Sequence, residues 1–372
     1  MVTLNSLRTW RWFGGMLSLI YLTGNISLDR AQADGAPWLP PVNLGAPVNS
    51  SGDEQQVTIT HSGLSLYFSS DRPGGFGNQD IWVSHRTGVQ APWGEPRNLG
   101  PNVNGPGQEV APSFSPDDHW MFFPSGGRPE GFGSLDIYMT YRADVADDFG
   151  WQPAIHLGPS VNSPANDADP FYFVDPTTGE ATLYFVSNVL GTFDIYESAQ
   201  NADGSFRNAV LNKELSTAAY GDRHLTIRSD GLELIFTSDR PGGMGGLDLW
   251  VSTRNTTRDL WTEPVNLGSP VNSTFDDRGP GLSRDGLTLF FSSTRPGGSG
   301  NGDLWMTMRW PRRRWRWIPL LSRPSGQANS VVERALGARP DGGDSRSALS
   351  KSATHSTTTA HLHDARPVRR HS

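Results

Sequence analysis

A seven-residue phrase, Ser69-Ser70-Asp71-Arg72-Pro73-Gly74-Gly75, is followed after a short gap by Asp80-Ile81-Trp82, and the pair recurs along the chain. It returns as Ser238-Asp239-Arg240-Pro241-Gly242-Gly243 with Asp248-Leu249-Trp250, and as Ser293-Thr294-Arg295-Pro296-Gly297-Gly298 with Asp303-Leu304-Trp305. Two worn copies lie between: Gly127-Arg128-Pro129 with Asp136-Ile137-Tyr138, and Ser187-Asn188 with Asp194-Ile195-Tyr196. The marker aspartates Asp80, Asp136, Asp194, Asp248 and Asp303 stand 56, 58, 54 and 55 residues apart. A fixed period of this length is one four-stranded propeller blade with generous loops.

Each unit opens with an aromatic residue, a proline and a Leu-Gly, as in Trp93 with Leu99-Gly100 and Trp261 with Leu267-Gly268. A Val-Asn pair follows, then a short strand, a polar turn such as Ser229-Asp230-Gly231, and an apolar strand such as Leu232-Glu233-Leu234-Ile235-Phe236. An apolar-rich run of that length suits a strand packed on both faces between neighbouring blades. The Gly 42 and Pro 28 of the 372 residues fit short strands joined by frequent turns. The phase of the repeat predicts ring closure. Trp38 to Leu44 has no preceding strands of its own, and the last unit, ending at Arg309, lacks a good Trp-Pro-Leu-Gly segment after it. The expectation is an all-β, five-bladed β-propeller of four-stranded antiparallel blades whose N-terminal strand closes the last blade, which removes two open sheet edges. Trp310 to Pro319 is the rival closing strand.

The ends read differently. Residues 1–33 have the pattern of a secretory signal peptide: Arg8 and Arg11, an apolar Trp12 to Gly24, then Ala31-Gln32-Ala33. Residues 34–310 carry the propeller. Residues 311–372 carry 12 Lys+Arg against 4 Asp+Glu, leaving 19 against 34 for the rest. The basic, Ser/Thr-rich composition of that tail predicts disorder. The acidic body argues against nucleic acid as a partner. With no cysteine there is neither a disulfide nor a thiol for lipid anchoring, and the expected location is periplasmic or secreted, with no membrane span after signal cleavage and a monomeric state.

The order Ser-x-Asp-Gly-x-x-Leu-x-Phe-x-Ser-x-Arg, followed by Asp-Ile/Leu-Trp/Tyr, resembles the WD40-like propeller repeat of the TolB type. The resemblance covers about three quarters of the chain. It implies an exported bacterial propeller and carries little about task. The N-terminal α/β domain that TolB joins to its propeller is absent here.

A second repeat lies inside the first. Six residues after the Val of Val-Asn stands an acid, Glu54, Glu109, Asp167 or Asp277, and Asp222 takes that place in the fourth unit. The next residue varies: Gln55, Val110, Ala168, Arg223, Arg278. Five acids at the entrance of the innermost strands, with Arg223, Arg278 and His224 beside them, are the candidate ligand-binding residues. They could contact sugar hydroxyls, hold Ca²⁺, or act as acid and base in glycoside cleavage, which needs two carboxylates about 5–10 Å apart. The competing reading makes them framework residues paired with the turn arginines Arg72, Arg128, Arg240 and Arg295. Blade three lacks that arginine, so Asp167 is the free one. The histidines show no metal-ligand spacing, no cofactor is implied, and no catalytic residue is assignable. The marker aspartates are expected to fix turns. The functional expectation is a binding or scaffold module of the cell envelope with a protein or glycan partner. The alternative is a carbohydrate-active hydrolase or lyase.

Overall fold

The computed structural model describes residues 37–310 except Ala218. The signal-peptide and basic-tail expectations therefore lie outside the described residues. The order of elements is β1 (Val42–Asn43); β2 (Glu54–Ile59), β3 (Ser65–Ser70), β4 (Asp80–His85) and β5 (Arg97–Asn98) in blade one; β6 (Ser113–Phe114), β7 (Trp120–Ser125), β8 (Asp136–Tyr141) and β9 (Ile155–His156) in blade two. Blade three holds β10 (Asp167–Val174), β11 (Ala181–Ser187), β12 (Asp194–Ala199) and β13 (Val210–Leu211). Blade four holds β14 (Asp222–Ile227), β15 (Glu233–Ser238), β16 (Asp248–Thr253) and β17 (Val265–Asn266). Blade five holds β18 (Asp277–Leu282), β19 (Thr288–Ser293) and β20 (Asp303–Met308). Each blade is a four-stranded antiparallel sheet, and β1 is the fourth strand of blade five, paired Val42 to Met306 and Asn43 to Trp305. No helix occurs among the described residues, so none is long and apolar enough to cross a membrane.

The core lies between blades. Tyr67 and Val83 of blade one pack with Met121 and Phe123 of blade two; Ile235 and Leu249 of blade four pack with Leu289 and Phe291 of blade five. Five such clusters, one per interface, close the ring. This explains why β3, β15 and β19 are apolar without alternation: both faces meet a neighbouring blade.

Each repeated residue has a mechanical task. The Val-Asn asparagines clip the third strand of the blade before: Asn104 Nδ2 donates to Ile81 O at 2.9 Å, while its Oδ1 accepts from Ile81 N at 2.9 Å. Asn162 does the same with Ile137, Asn272 with Leu249, and Asn49 with Leu304 across the closure. The marker aspartates cap the turns before them, as Asp80 accepts from Phe76 N at 2.7 Å. A Cβ on Gly75 would run into that carboxylate, and Gly74 sits at φ +97, so the Gly-Gly pair is required by both space and conformation. The opening tryptophans cover an arginine at the end of the third strand: Trp93 on Arg86 at 4.2 Å, Trp151 on Arg142 at 4.5 Å, Trp261 on Arg254 at 4.1 Å. Trp38 does the same to Arg309 at 4.4 Å, so the closing contact repeats the interior ones.

Candidate functional site in the axial cavity

The five innermost strands surround a cavity of about 360 Å³ on the propeller axis, a volume typical of small-ligand sites. Its middle is apolar, with Ile59, Phe114, Phe171, Phe173, Ile227 and Leu282 on the wall. At the far end the exposed Arg284 reaches from blade five to His61 of blade one and, at 3.2 Å, to Pro116 O of blade two.

The near end is shaped by a backbone device. Two residues after each repeated acid the chain turns to positive φ: Gln56 at 50°, Ala111 at 45°, Asp169 at 50°, His224 at 45° and Gly279 at 62°. In blades one, three, four and five the strand register jumps at that point, which marks a β-bulge. Left-handed conformation costs a non-glycine residue about 1–2 kcal/mol. Four of five blades carry that cost, and bulges of this kind re-aim a side chain. Here they bring all five residues to the cavity wall.

Three of the five meet. Gln56 Nε2 lies 2.6 Å from His224 Nε2 and donates to Asp169 Oδ1 at 3.2 Å. His224 Nε2 is 3.1 Å from Asp169 Oδ1, and His224 N donates to Asp169 Oδ2 at 3.3 Å. Ser69 Oγ donates to Gln56 Oε1 at 3.2 Å, which orients the amide with its NH₂ toward the cluster. His224 Nδ1 is buried and has no partner among the described residues. Three blades thus contribute one asymmetric polar cluster with an open ring nitrogen, in a ring otherwise built from like parts.

The candidates from the sequence fall elsewhere, except one. Of Glu54, Glu109, Asp167, Asp222, Asp277, Arg223, Arg278 and His224, only His224 lines the cavity. The acids are buried in the framework. Glu54 takes Arg72 Nη2 at 3.0 Å and Ser70 Oγ at 2.8 Å; Asp222 takes Arg240 at 2.6 Å; Asp277 takes Arg295 at 2.5 Å; Glu109 faces Arg128 at 3.9 Å. Each of these four acids is in hydrogen-bond or ion-pair contact with its own blade's turn, and this holds it away from the axis. Arg223 lies over the Phe193 ring at 4.4 Å, and Arg278 pairs with Asp53 at 3.4 Å, so the two arginines do not make a basic side to the cavity. Gln56 and Asp169 were missed. Two positions past the acid the repeat reads Gln, Ala, Asp, His, Gly, with no shared residue type to mark the place.

Asp167 has no turn arginine. Oδ2 accepts from Ser163 N at 2.5 Å and Ser163 Oγ at 2.9 Å, while Oδ1 is buried without a partner. Burial pushes its carboxyl above the ordinary 3.8, with Ser187 and Ser163 opposing in part. A raised folded pKa favours the neutral acid, so this contribution to stability is complete below pH 3.8 and is lost as pH rises through the folded value. Thermal melts of wild type and Asp167→Asn from pH 4 to pH 8 are therefore expected to diverge in the variant's favour as pH rises. A melting-temperature difference that is flat across that range contradicts the assignment.

Among the described residues no group of three or more His, Asp or Glu side chains could hold a metal ion. No family model matches the chain, and no curated protein matches it, so the WD40-like resemblance rests on the repeat motif alone. Solved structures do match in fold. An α-L-arabinofuranosidase from Podospora anserina aligns with TM-score 0.50 and 12% identity over 74% of this chain and 98% of its own. An endo-arabinase from Bacteroides thetaiotaomicron aligns with TM-score 0.50 and 14% identity over 74% and 98%. A thermostable family-43 glycoside hydrolase aligns with TM-score 0.50 and 14% identity over 73% and 93%. At these identities the likeness is one of fold.

Proposed function

We propose that this protein is a carbohydrate-active propeller that takes a sugar into the axial cavity, and that Gln56, Asp169 and His224 hold its hydroxyls. The observation that carries the reading is the asymmetric cluster itself. It combines a carboxylate, an amide and an imidazole with a free Nδ1, set by strained backbone at one end of an apolar-walled cavity. Sugars present apolar C–H faces and rows of hydroxyls, which suit such a wall and such a cluster. The fold neighbours favour this reading over an envelope scaffold, since those proteins are an arabinofuranosidase, an arabinase and a glycoside hydrolase. Arabinose-containing oligosaccharides are the first ligands to try. The signal-like N-terminus fits an export route to such a ligand.

Hydrolysis is the second reading, favoured by the same neighbours. Among the described residues the cavity wall has one other carboxylate, Asp118. Tyr172 N donates to Ser113 Oγ, which sets the level of blade two against blade three. By strand rise Asp118 then lies ~15 Å or more from Asp169, beyond the span of a carboxylate pair. Cleavage would have to use Asp169 and His224 as base and acid.

A panel of arabino- and xylo-oligosaccharides, with binding by calorimetry and reducing-sugar release in parallel, tests both. A hydrogen bond to a charged group contributes about 1.5–3 kcal/mol, so Asp169→Asn is expected to weaken binding about ten- to a hundredfold, and His224→Ala comparably. Binding untouched by either substitution contradicts the proposed site. Binding without sugar release ends the hydrolase reading.

A further inference from the structure

Four blades carry a guanidinium in the same cradle. In blade four, Arg240 Nη2 meets Asp222 Oδ1 at 2.6 Å and Leu215 O at 3.0 Å, Nε meets Ser238 Oγ at 3.1 Å, and the group lies over Phe236 at 4.9 Å and Trp250 at 5.5 Å. Arg72 and Arg295 repeat every one of these contacts in blades one and five. Arg128 sits the same way between Phe123 and Tyr138, at 5.9 Å and 4.9 Å.

Blade three has the cradle without the guanidinium. Asp167, Ser187, Phe185 and Tyr196 occupy the matching positions, and Val161 is the matching carbonyl residue. The backbone follows the other blades: Asn166 N bonds Asn188 Oδ1 as Asp53 N bonds Asp71 Oδ1, and Gly191 has φ 110° where Gly74 has 97°. The arginine stands two past the serine in blades one, four and five and three past it in blade two; in blade three those places hold Val189 and Leu190. Two polar atoms are left over. Asp167 Oδ1 and Ser187 Oγ are both buried, in residues 1% and 2% exposed; the Ser187 hydroxyl faces the Asp167 carboxyl, and neither atom meets any other partner among the described residues. These are the atoms that bind Arg Nη2 and Nε in blade four. The facing rings of Phe185 and Tyr196 remain stacked at 5.9 Å, and Tyr196 is more exposed than Tyr138 or the corresponding tryptophans. The turn is also short, seven residues from Ser187 to Asp194 against ten or eleven elsewhere, so less chain covers the niche. Its rim is apolar and open, with Val189 49% and Leu190 67% exposed.

We infer that the blade-three cradle is a binding site for an arginine side chain that the blade itself lacks, supplied by a partner protein. The guanidinium fits on its own terms. Its planar fork satisfies a carboxylate and a hydroxyl together and stacks on aromatic faces, which a lysine does not do. The exposed Val189–Leu190 rim gives a presenting chain apolar surface to cover.

The test uses the full chain and an N-acetylarginine amide probe, followed by NMR titration, with the neutral citrulline counterpart as control. Wild type is expected to bind the arginine probe at least tenfold more tightly than the citrulline probe. Asp167→Asn is expected to lose at least tenfold. Val189→Arg, a change at a half-exposed position, is expected to fill the cradle from within, abolish probe binding and raise the melting temperature. Equal binding of the two probes, no binding of the arginine probe by wild type, or a Val189→Arg protein that binds as wild type does, overturns the inference.

Discussion

Removing residues 37–44 is expected to lower stability on the order of 5 kcal/mol and to abolish cooperative melting at temperatures where the intact chain is folded. The segment holds blade five to itself. Leu39 N donates to Met308 O at 2.8 Å, Leu44 N to Leu304 O at 3.0 Å, and Thr307 Oγ1 to Leu39 O at 2.5 Å. Trp38 and Leu44 are partly buried against the interface clusters on either side of blade five. A few hydrogen bonds at about 1 kcal/mol each, together with one buried aromatic and one leucine at about 1.5–3 kcal/mol each, reach that total. Without β1, β20 becomes an open edge, and a propeller gains much of its cooperativity from having none. Differential scanning calorimetry is the measurement. Ending the chain after Trp310 is the control and is expected to leave the transition in place, because β1 and not a downstream strand closes the ring. Loss of folding on that truncation, with none on the first, would reverse the account of closure.

The second large effect is expected at Arg142, fully buried between blades one and two. Its Nε donates to Asp118 O at 2.9 Å, and Nη1 to Tyr67 OH at 2.9 Å, with Asp147 O at 3.3 Å and Asp148 Oδ1 at 3.4 Å. Trp151 covers the guanidinium at 4.5 Å. Tyr67 OH in turn donates to Asp148 Oδ1 at 2.8 Å, and burial followed by the Asp148 charge keeps the phenol neutral. Arg142→Ala removes the buried cation and leaves the nearly buried Asp148 carboxylate with only the exposed His85 ring beside it, at 3.3 Å. Breaking a buried pair from one side costs about 3–5 kcal/mol, and for a domain of this size the melting temperature is expected to fall by about 5–9 °C. Arg142→Lys is expected to recover little, since the three hydrogens of one ammonium cannot take the place of Nε and Nη1 donating to four acceptors. Combining Arg142→Ala with Asp148→Asn is expected to cost less than the sum of the two single changes.

Much of the scaffold could be read from residues. The step between Asp80, Asp136, Asp194, Asp248 and Asp303 set the blade count, and the unmatched Trp38 segment at one end set the closure. Both depend on contacts repeated in every blade, so the same residue types recur at the same offset. The acids Glu54 to Asp277 stood out for that reason, and for that reason they proved to belong to the frame. The cavity cluster is the opposite case. Gln56, Asp169 and His224 share a position that tolerates any residue able to sit at positive φ, so no repeat marks it. Their contact across the axis joins positions up to 168 residues apart, which no local pattern reports. Asp167 was legible by subtraction: an acid present in a unit whose arginine is missing.

The central claim is that ligand enters on the axis and is held by Gln56, Asp169 and His224. A crystal structure of the protein with an arabino-oligosaccharide tests it most directly. The account predicts sugar density inside the cavity, with hydroxyl oxygens within about 3.2 Å of Asp169 or of His224 Nδ1. Sugar bound only on the outer faces of the blades, with the axial cluster untouched, would contradict it.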